Sequence, residues 1–167
     1  MLLQTQEIRL VPVDASHKDI FIALANIPEI NHRVNKPFPY LETHFDELLN
    51  KKTAFVHHTW MIEKAGSIAG VINTAAARHT KVFQGGYWIH PDYWGKNIAT
   101  DAVLLMRDFL FERYSAIRAQ AVVEPDNTAS MRVLEKCGYI REGMLRKFYP
   151  SMTRDLLDVY MYAYVRG

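Results

Sequence analysis

One stretch constrains this chain more than any other, Tyr87-Trp88-Ile89-His90-Pro91-Asp92-Tyr93-Trp94-Gly95-Lys96-Asn97-Ile98-Ala99-Thr100. It reads as a buried strand, a proline break, a tight glycine-containing loop, and a helix that begins as soon as the loop ends. A helix opened in this way leaves several backbone N–H groups without intrahelical partners, and the helix dipole adds partial positive charge at the same point. Such a corner suits a phosphate group.

The rest of the chain supplies a mixed sheet around that corner. Residues 7–13 alternate as a first strand. Ser16-His17-Lys18-Asp19 has capping-box spacing ahead of Ile20, Phe21, Leu24 and Ile27, which recur at helical intervals before Pro28. Residues 26–40, rich in Asn, Pro and aromatics, read as a loop or short irregular helix. Thr43-His44-Phe45-Asp46 repeats the capping spacing, and a short helix continues over 47–51. Residues 54–63 and 67–76 form a hairpin broken at Lys64-Ala65-Gly66, and residues 82–90 form the next strand. The helix after Gly95 carries Ile98, Ala102, Leu105, Met106 and Phe109 on one stripe. A strand at 117–123, a helix at 128–137 stopped by Gly138, and a strand pair at 139–145 and 156–165 complete the chain.

At 167 residues and 49% hydrophobic, this is the size of one domain, residues 1–167, with a sizeable core. No apolar run is long enough to span a membrane, and Met1-Leu2-Leu3-Gln4 gives way to charge too soon for a secretory signal. The expected compartment is the cytoplasm, in keeping with the single Cys137. A net charge of +2 without a basic block argues against direct nucleic-acid binding. The seven histidines lack metal-ligand spacing, and neighbours His57 and His58 point to opposite faces of a strand. Neither GxxxxGK[ST] nor GxGxxG occurs, which removes the commonest nucleotide-hydrolysing and hydride-transferring readings of the phosphate corner.

Four successive segments then resemble the GNAT superfamily of acetyl-coenzyme A dependent N-acyltransferases, and within it the RimJ/RimL type. They are Gly86-Tyr87-Trp88-Ile89-His90-Pro91; Tyr93-Trp94-Gly95-Lys96-Asn97-Ile98-Ala99-Thr100; Glu124-Pro125-Asp126-Asn127-Thr128-Ala129-Ser130 followed by Val133-Leu134-Glu135-Lys136-Cys137-Gly138-Tyr139; and Glu142-Gly143-Met144-Leu145-Arg146 with Asp158-Val159-Tyr160. The resemblance covers nearly the whole chain. It implies an α/β (α+β) fold of GNAT type, with a mixed, mostly antiparallel, splayed seven-stranded sheet and about four helices on its faces.

By the same resemblance, the sheet parts after the strand ending at His90 and leaves its backbone to pair with the pantetheine arm of acetyl-CoA. The cofactor would lie along Trp88, Ile89, His90 and Trp94, its pyrophosphate against Gly95, Lys96, Asn97, Ile98, Ala99 and Thr100, with Asn127, Ser130 and Lys136 opposite. Asn97 stands where the family pattern has glycine, and asparagine tolerates the left-handed backbone that glycine would adopt. Trp94 stands where other branches carry a basic or amide residue.

Acetyl transfer to an amine needs a neutral amine, a polarised thioester carbonyl and a proton for the departing thiolate. The resemblance gives Ser130 the last role and gives Asn127 a tie to the cofactor or to water, beside its role as N-cap of the following helix. Leu134 replaces a tyrosine that many relatives use. Gln84 and Tyr149 occupy positions where relatives carry acids, so Glu142 is the acid/base candidate, with Glu124 and His90 as alternatives and a water-relayed deprotonation as the default. The acceptor pocket is expected from residues 31–40, 78–81 and 148–154, with Phe38, Tyr40, Phe148 and Tyr149 as its aromatics. Three acceptor readings follow: the N-terminal α-amine of a ribosomal or other protein; a small amine such as a polyamine, amino acid or antibiotic; or no acceptor, in a non-catalytic coenzyme A binding module. A monomer or homodimer fits either enzyme.

Overall fold

Ala65 and Gly66, with φ of 49° and 80°, form a two-residue turn whose positive angles match the twist of the strands on either side. They join β2 (His57–Lys64) to β3 (Ser67–Ala77), a hairpin within a seven-stranded sheet in a computed structural model describing residues 3–152 and 154–167. Met1 and Leu2, the start of the stretch read against a secretory signal, lie outside the described residues, as does Thr153 within the expected 148–154 loop.

The other strands are β1 (Arg9–Pro12), β4 (His79–Ile89), β5 (Arg118–Val123), β6 (Ile140–Tyr149) and β7 (Leu157–Val165). Their spatial order is β1-β2-β3-β4-β5-β7-β6. Every neighbouring pair is antiparallel except β4 and β5. Gly70 lets β3 lie close to β4, since a Cβ there would sit 2.3 Å from the Trp88 carbonyl oxygen.

Alternation along the strands sends side chains to two cores. On one face Met61, Val71 and Trp88 meet Phe21 and Leu24 of α1 (Lys18–Ala25), Phe45 of α3 (Glu42–Leu49), and Ile30 of the one-turn α2 (Pro28–Asn31). On the other, Trp60, Ile62, Ile72, Phe83 and Ile89 meet Ile98, Ala102, Val103, Met106 and Leu110 of α4 (Ile98–Arg113). Leu134 of α5 (Thr128–Lys136) joins this second core.

Among the described residues five α-helices therefore flank the sheet where about four were expected, because the 26–40 segment includes the turn of α2. The N-terminal caps also differ from expectation. Asp14, not Ser16, accepts the Ser16 N–H at 2.9 Å and opens a 3-10 turn that runs into α1. The third helix starts at Glu42, ahead of the expected Thr43 cap, with His44 Nδ1 accepting the Leu41 N–H at 2.9 Å. Gly138 stops α5 as expected, at φ 81°. Among the described residues no helix is long and apolar enough to cross a membrane, and no group of three or more potential ligands is arranged for a metal ion.

Candidate active site

The ladder between β4 and β5 has three pairs, Val82 with Arg118, Phe83 with Ala119 and Gln84 with Gln120. Beyond Gln84 the strands part, while β4 stays paired with β3 to Ile89 and β5 with β7 to Val123. The parting thus begins within the strand, five residues before its end, and not after His90. The β3–β4 register is uninterrupted from Phe83 to Ile89, so backbone groups alternate strictly between the two edges of β4. The His90 N–H bonds the Ala69 carbonyl of β3 at 2.8 Å. Gly85, Tyr87 and Ile89 therefore turn their amide groups to the opening. The Ile89 carbonyl is met there by the Trp94 indole N–H at 2.8 Å, which ties the loop to the strand.

At the end of the opening the chain makes the corner foreseen from sequence. His90 Nδ1 accepts the Asp92 N–H and caps a 3-10 turn over Pro91–Tyr93. Gly95 and Asn97 follow in left-handed conformations, φ 72° and 59°. Asn97 thus adopts the backbone a glycine would supply. Its side chain makes no capping bond, and the first bond of α4 runs from Asp101 N–H to the Asn97 carbonyl. The amides of Ile98, Ala99 and Thr100 are left open at the positive end of a 16-residue helix. Lys136 brings its ammonium 3.5 Å from Asn97 Oδ1, and Lys96 bonds the Asp92 carbonyl over the Tyr93 ring.

The N-terminus of α5 faces the same opening. Asn127 Oδ1 accepts the Ser130 N–H at 3.3 Å, the capping role expected of it. Ser130 Oγ in turn lies 3.1 Å from the Tyr87 hydroxyl, a bond that joins α5 to β4. Burial pushes the Tyr87 hydroxyl up to about 12, so it stays protonated and donates to Ser130. That leaves the serine proton for another acceptor. Tyr87 belongs to the strand motif of the sequence, but its role is not legible there because its partner is 43 residues away.

The carboxylates are placed differently. Glu142 receives two bonds from Arg118, at 2.8 and 2.6 Å, and the guanidinium holds its carboxyl below the usual range. Arg118 also bonds Gln120 Oε1 at 2.6 Å, and Gln120 Nε2 bonds Gln84 Oε1 at 2.9 Å. Glu142 therefore ends a chain of bonds fixing the last paired rung of β4 and β5, apart from the Tyr87–Ser130–Asn127 group. Glu124 is similarly taken, by two bonds from Arg154 at 2.8 and 2.9 Å with Arg33 at 3.6 Å.

On the face of the sheet opposite Tyr87, a cavity of ≈180 Å³ borders the point where the strands part; Gln84, Asn73, Trp88, Phe21, Lys36 and Lys51 contribute to its lining. From the expected acceptor aromatics the structure takes Tyr40 into the core beside this cavity, while Phe38 and Phe148 are exposed.

With this geometry in view, the relatives are informative. Residues 7–140 match the family described as Acetyltransferase (GNAT) domain. An uncharacterized N-acetyltransferase, p20 of Bacillus licheniformis, is 36% identical over 81 residues, 48% of this chain and 45% of that protein. The chain thus matches less than half the length of that relative. Two solved structures share the fold. One is the Salmonella typhimurium acetyl transferase that modifies the N-terminal serine of a 50S ribosomal subunit protein, with TM-score 0.84, 19% identity and 100% of both chains covered. The other is a spermidine N-acetyltransferase of Vibrio cholerae in complex with CoA and spermine, with TM-score 0.83, 18% identity and 96% of both chains covered. The splayed seven-stranded sheet, the helix-opening loop and the match over residues 7–140 place this chain in the GNAT acetyltransferase family.

Proposed function

We propose that the protein transfers an acetyl group from acetyl-CoA to the α-amine of a protein or peptide. The observation that carries this reading is the opening between β4 and β5, which offers the strand N–H groups of Tyr87 and Ile89, helix-start amides at Ile98, Ala99 and Thr100, and the Tyr87–Ser130 hydroxyl pair beside them. Those groups fit the chemistry of the cofactor. Strand amides match the pantetheine arm, and the helix start with Lys96 and Lys136 matches phosphate. Bound there, acetyl-CoA supplies a thioester whose carbonyl carbon the amine attacks and whose sulfur leaves as the C–S bond breaks.

The chain's own residues then handle protons. Ser130 gives its hydroxyl proton to the departing sulfur as it takes the Tyr87 proton in turn, and water returns a proton to Tyr87. Asn127 holds the first turn of α5, and so Ser130, in position. Glu142, Glu124 and His90 are each engaged elsewhere, and Gln84 is an amide, so none offers a strong free base. Water takes the proton the amine releases.

With none of these four free to take a proton, the acceptor's own basicity decides. A peptide α-amine, with a pKa of about 7.7–8.0, has an appreciable neutral fraction near pH 7, whereas an amine near 10.4 has about a thousandth or less. The test follows thiol release from acetyl-CoA over peptides with free and blocked α-amines, spermidine, and amino acids. We expect turnover only where a peptide α-amine is free. Faster turnover of spermidine, or of a lysine side chain in a blocked peptide, overturns the acceptor assignment, and acetyl-CoA bound but never consumed overturns catalysis.

A further inference from the structure

Lys36 is out of character with its surroundings. Its ammonium lies over three rings, 5.8 Å from the centroid of Phe21 and 5.7 Å from those of Tyr40 and Trp88. It makes no ion pair or hydrogen bond among the described residues. Burial and the like charge of Lys51 together hold its pKa below the ordinary lysine value, and no carboxylate acts on it in the opposite sense. Cation–π contacts offset part of the cost of desolvating an ammonium, but a half-buried charge without a counter-charge stays under-compensated.

The cavity beneath it has the same deficit. Its titratable side chains are Lys36, Lys51, His57 and His58, with neither aspartate nor glutamate among them. Glu47 on α3 acts on the Tyr40 hydroxyl but does not line the cavity. Trp88, which does line it and is 5% exposed, keeps its indole N–H buried without an acceptor. Two cations and an unsatisfied donor thus gather around a space that no anion of the protein enters. The space borders the reaction centre, since Gln84 both lines it and is the last residue of β4 paired before the strands part. At ≈180 Å³ it is smaller than the roughly 300–1,000 Å³ of sites for drug-sized ligands, and suits one short side chain.

We propose that this cavity receives a carboxylate carried by the acceptor within its first two residues, with Lys36 as the counter-charge. The inference rests on the acetyl-transfer reading and narrows it. Acidic N-termini become the preferred substrates, and polyamines, which would add cations to a cationic pocket, are rejected. Lys36 then acts in specificity: it is released from its aromatic rest into an ion pair when the correct acceptor arrives. A carboxylate could also come from a free dicarboxylic amino acid, so the test includes both sources.

The experiment compares kcat/KM for peptides alike except for Glu, Gln or Lys at the second position, and for free glutamate and glutamine, on the wild-type enzyme and on Lys36→Met and Lys36→Arg. For the wild type we expect a Glu over Gln preference of about tenfold or more, expressed in KM, as for a hydrogen-bonded charge pair. In Lys36→Met the Glu to Gln ratio should fall toward one, and in Lys36→Arg most of it should survive. Melting curves check that each variant is folded, and Lys51→Met, expected to reduce the same ratio in part, serves if Lys36→Met is not. Glu and Gln peptides turned over within twofold by the wild type, or a preference that survives Lys36→Met, overturns the inference while the α-amine reading stands. Preference among free amino acids with no peptide turnover overturns the protein-acceptor reading and upholds the anion site. If nothing in the panel turns over, titration of the CoA-bound enzyme with the Glu and Gln peptides reads the same ratio as affinities, and equal affinities overturn the site.

Discussion

Replacing Ser130 with alanine should produce two separable defects. The first is kinetic. Without the hydroxyl the departing thiolate loses its proton donor, and kcat should fall about ten- to a hundredfold, equivalent to about 1.4–2.7 kcal/mol of transition-state stabilisation. Acetyl-CoA affinity should change little. The second is structural. The Tyr87 hydroxyl, part-buried and 3.1 Å from Ser130 Oγ, loses its partner, and an unsatisfied polar group costs at most about 1–3 kcal/mol there. For a chain of this size that lowers Tm by roughly 2–12 °C. Adding Tyr87→Phe removes the orphaned hydroxyl, so the double variant should recover most of the lost Tm but none of the lost kcat. Thermal melts and a continuous thiol-release assay on the four proteins of this cycle measure both quantities. An unchanged kcat in Ser130→Ala would reduce the serine to a helix-start residue. Recovery of rate together with stability in the double variant would show that the kinetic loss came from distortion alone.

Other expectations come from the loop, the sheet and the surface charges. Asn97→Gly should keep the φ 59° loop and its coenzyme A affinity, whereas Asn97→Ala should cost about 1 kcal/mol of stability and weaken binding, as read by denaturant titration and calorimetry. Gly70→Ala places a Cβ 2.3 Å from the Trp88 carbonyl and should destabilise the protein by about 1–3 kcal/mol, read by the same denaturation; a neutral effect would mean that β3 and β4 separate easily. Glu142 and Asp126 are held below their ordinary pKa values by Arg118 and Arg33. Their contribution to stability is complete above the unfolded values of about 4 and is lost as pH falls through the depressed ones. The drop in Tm between pH 5 and pH 3 should therefore shrink slightly in Arg118→Gln and Arg33→Gln, slightly because both pairs are exposed.

What could be read from the sequence was what local chemistry dictates. The Ala65-Gly66 turn, the Gly138 stop and the left-handed Asn97 each follow from the backbone preferences of single residues, and all three appear in the structure. The strand-to-helix corner was legible for the same reason. Caps were less legible, because Asp14 and Ser16 both offer a side-chain acceptor and only the fold of the preceding strand decides between them. Strand β6 runs on to Tyr149, past the expected end at Leu145, because Lys147 takes a left-handed φ of 47° and the pairing resumes after the irregularity. The site's acceptor side was hidden for a different reason. Tyr87 meets Ser130, Arg118 meets Glu142 across an intervening strand, and Lys36 meets Phe21 and Trp88, all over distances in sequence that no periodicity encodes. Glu142 was a reasonable acid by position, and only the register of β5, β7 and β6 brings Arg118 to it.

The most direct test of the account is the position of the coenzyme A sulfur in a crystal structure of the complex. The account predicts that it lies within hydrogen-bond reach of Ser130 Oγ, with the pantetheine amides paired to the Tyr87 and Ile89 backbone and the pyrophosphate at the amides of residues 98–100. A sulfur that lies instead beside the Glu142–Arg118 pair, or a cofactor bound outside the β4–β5 opening, would contradict it.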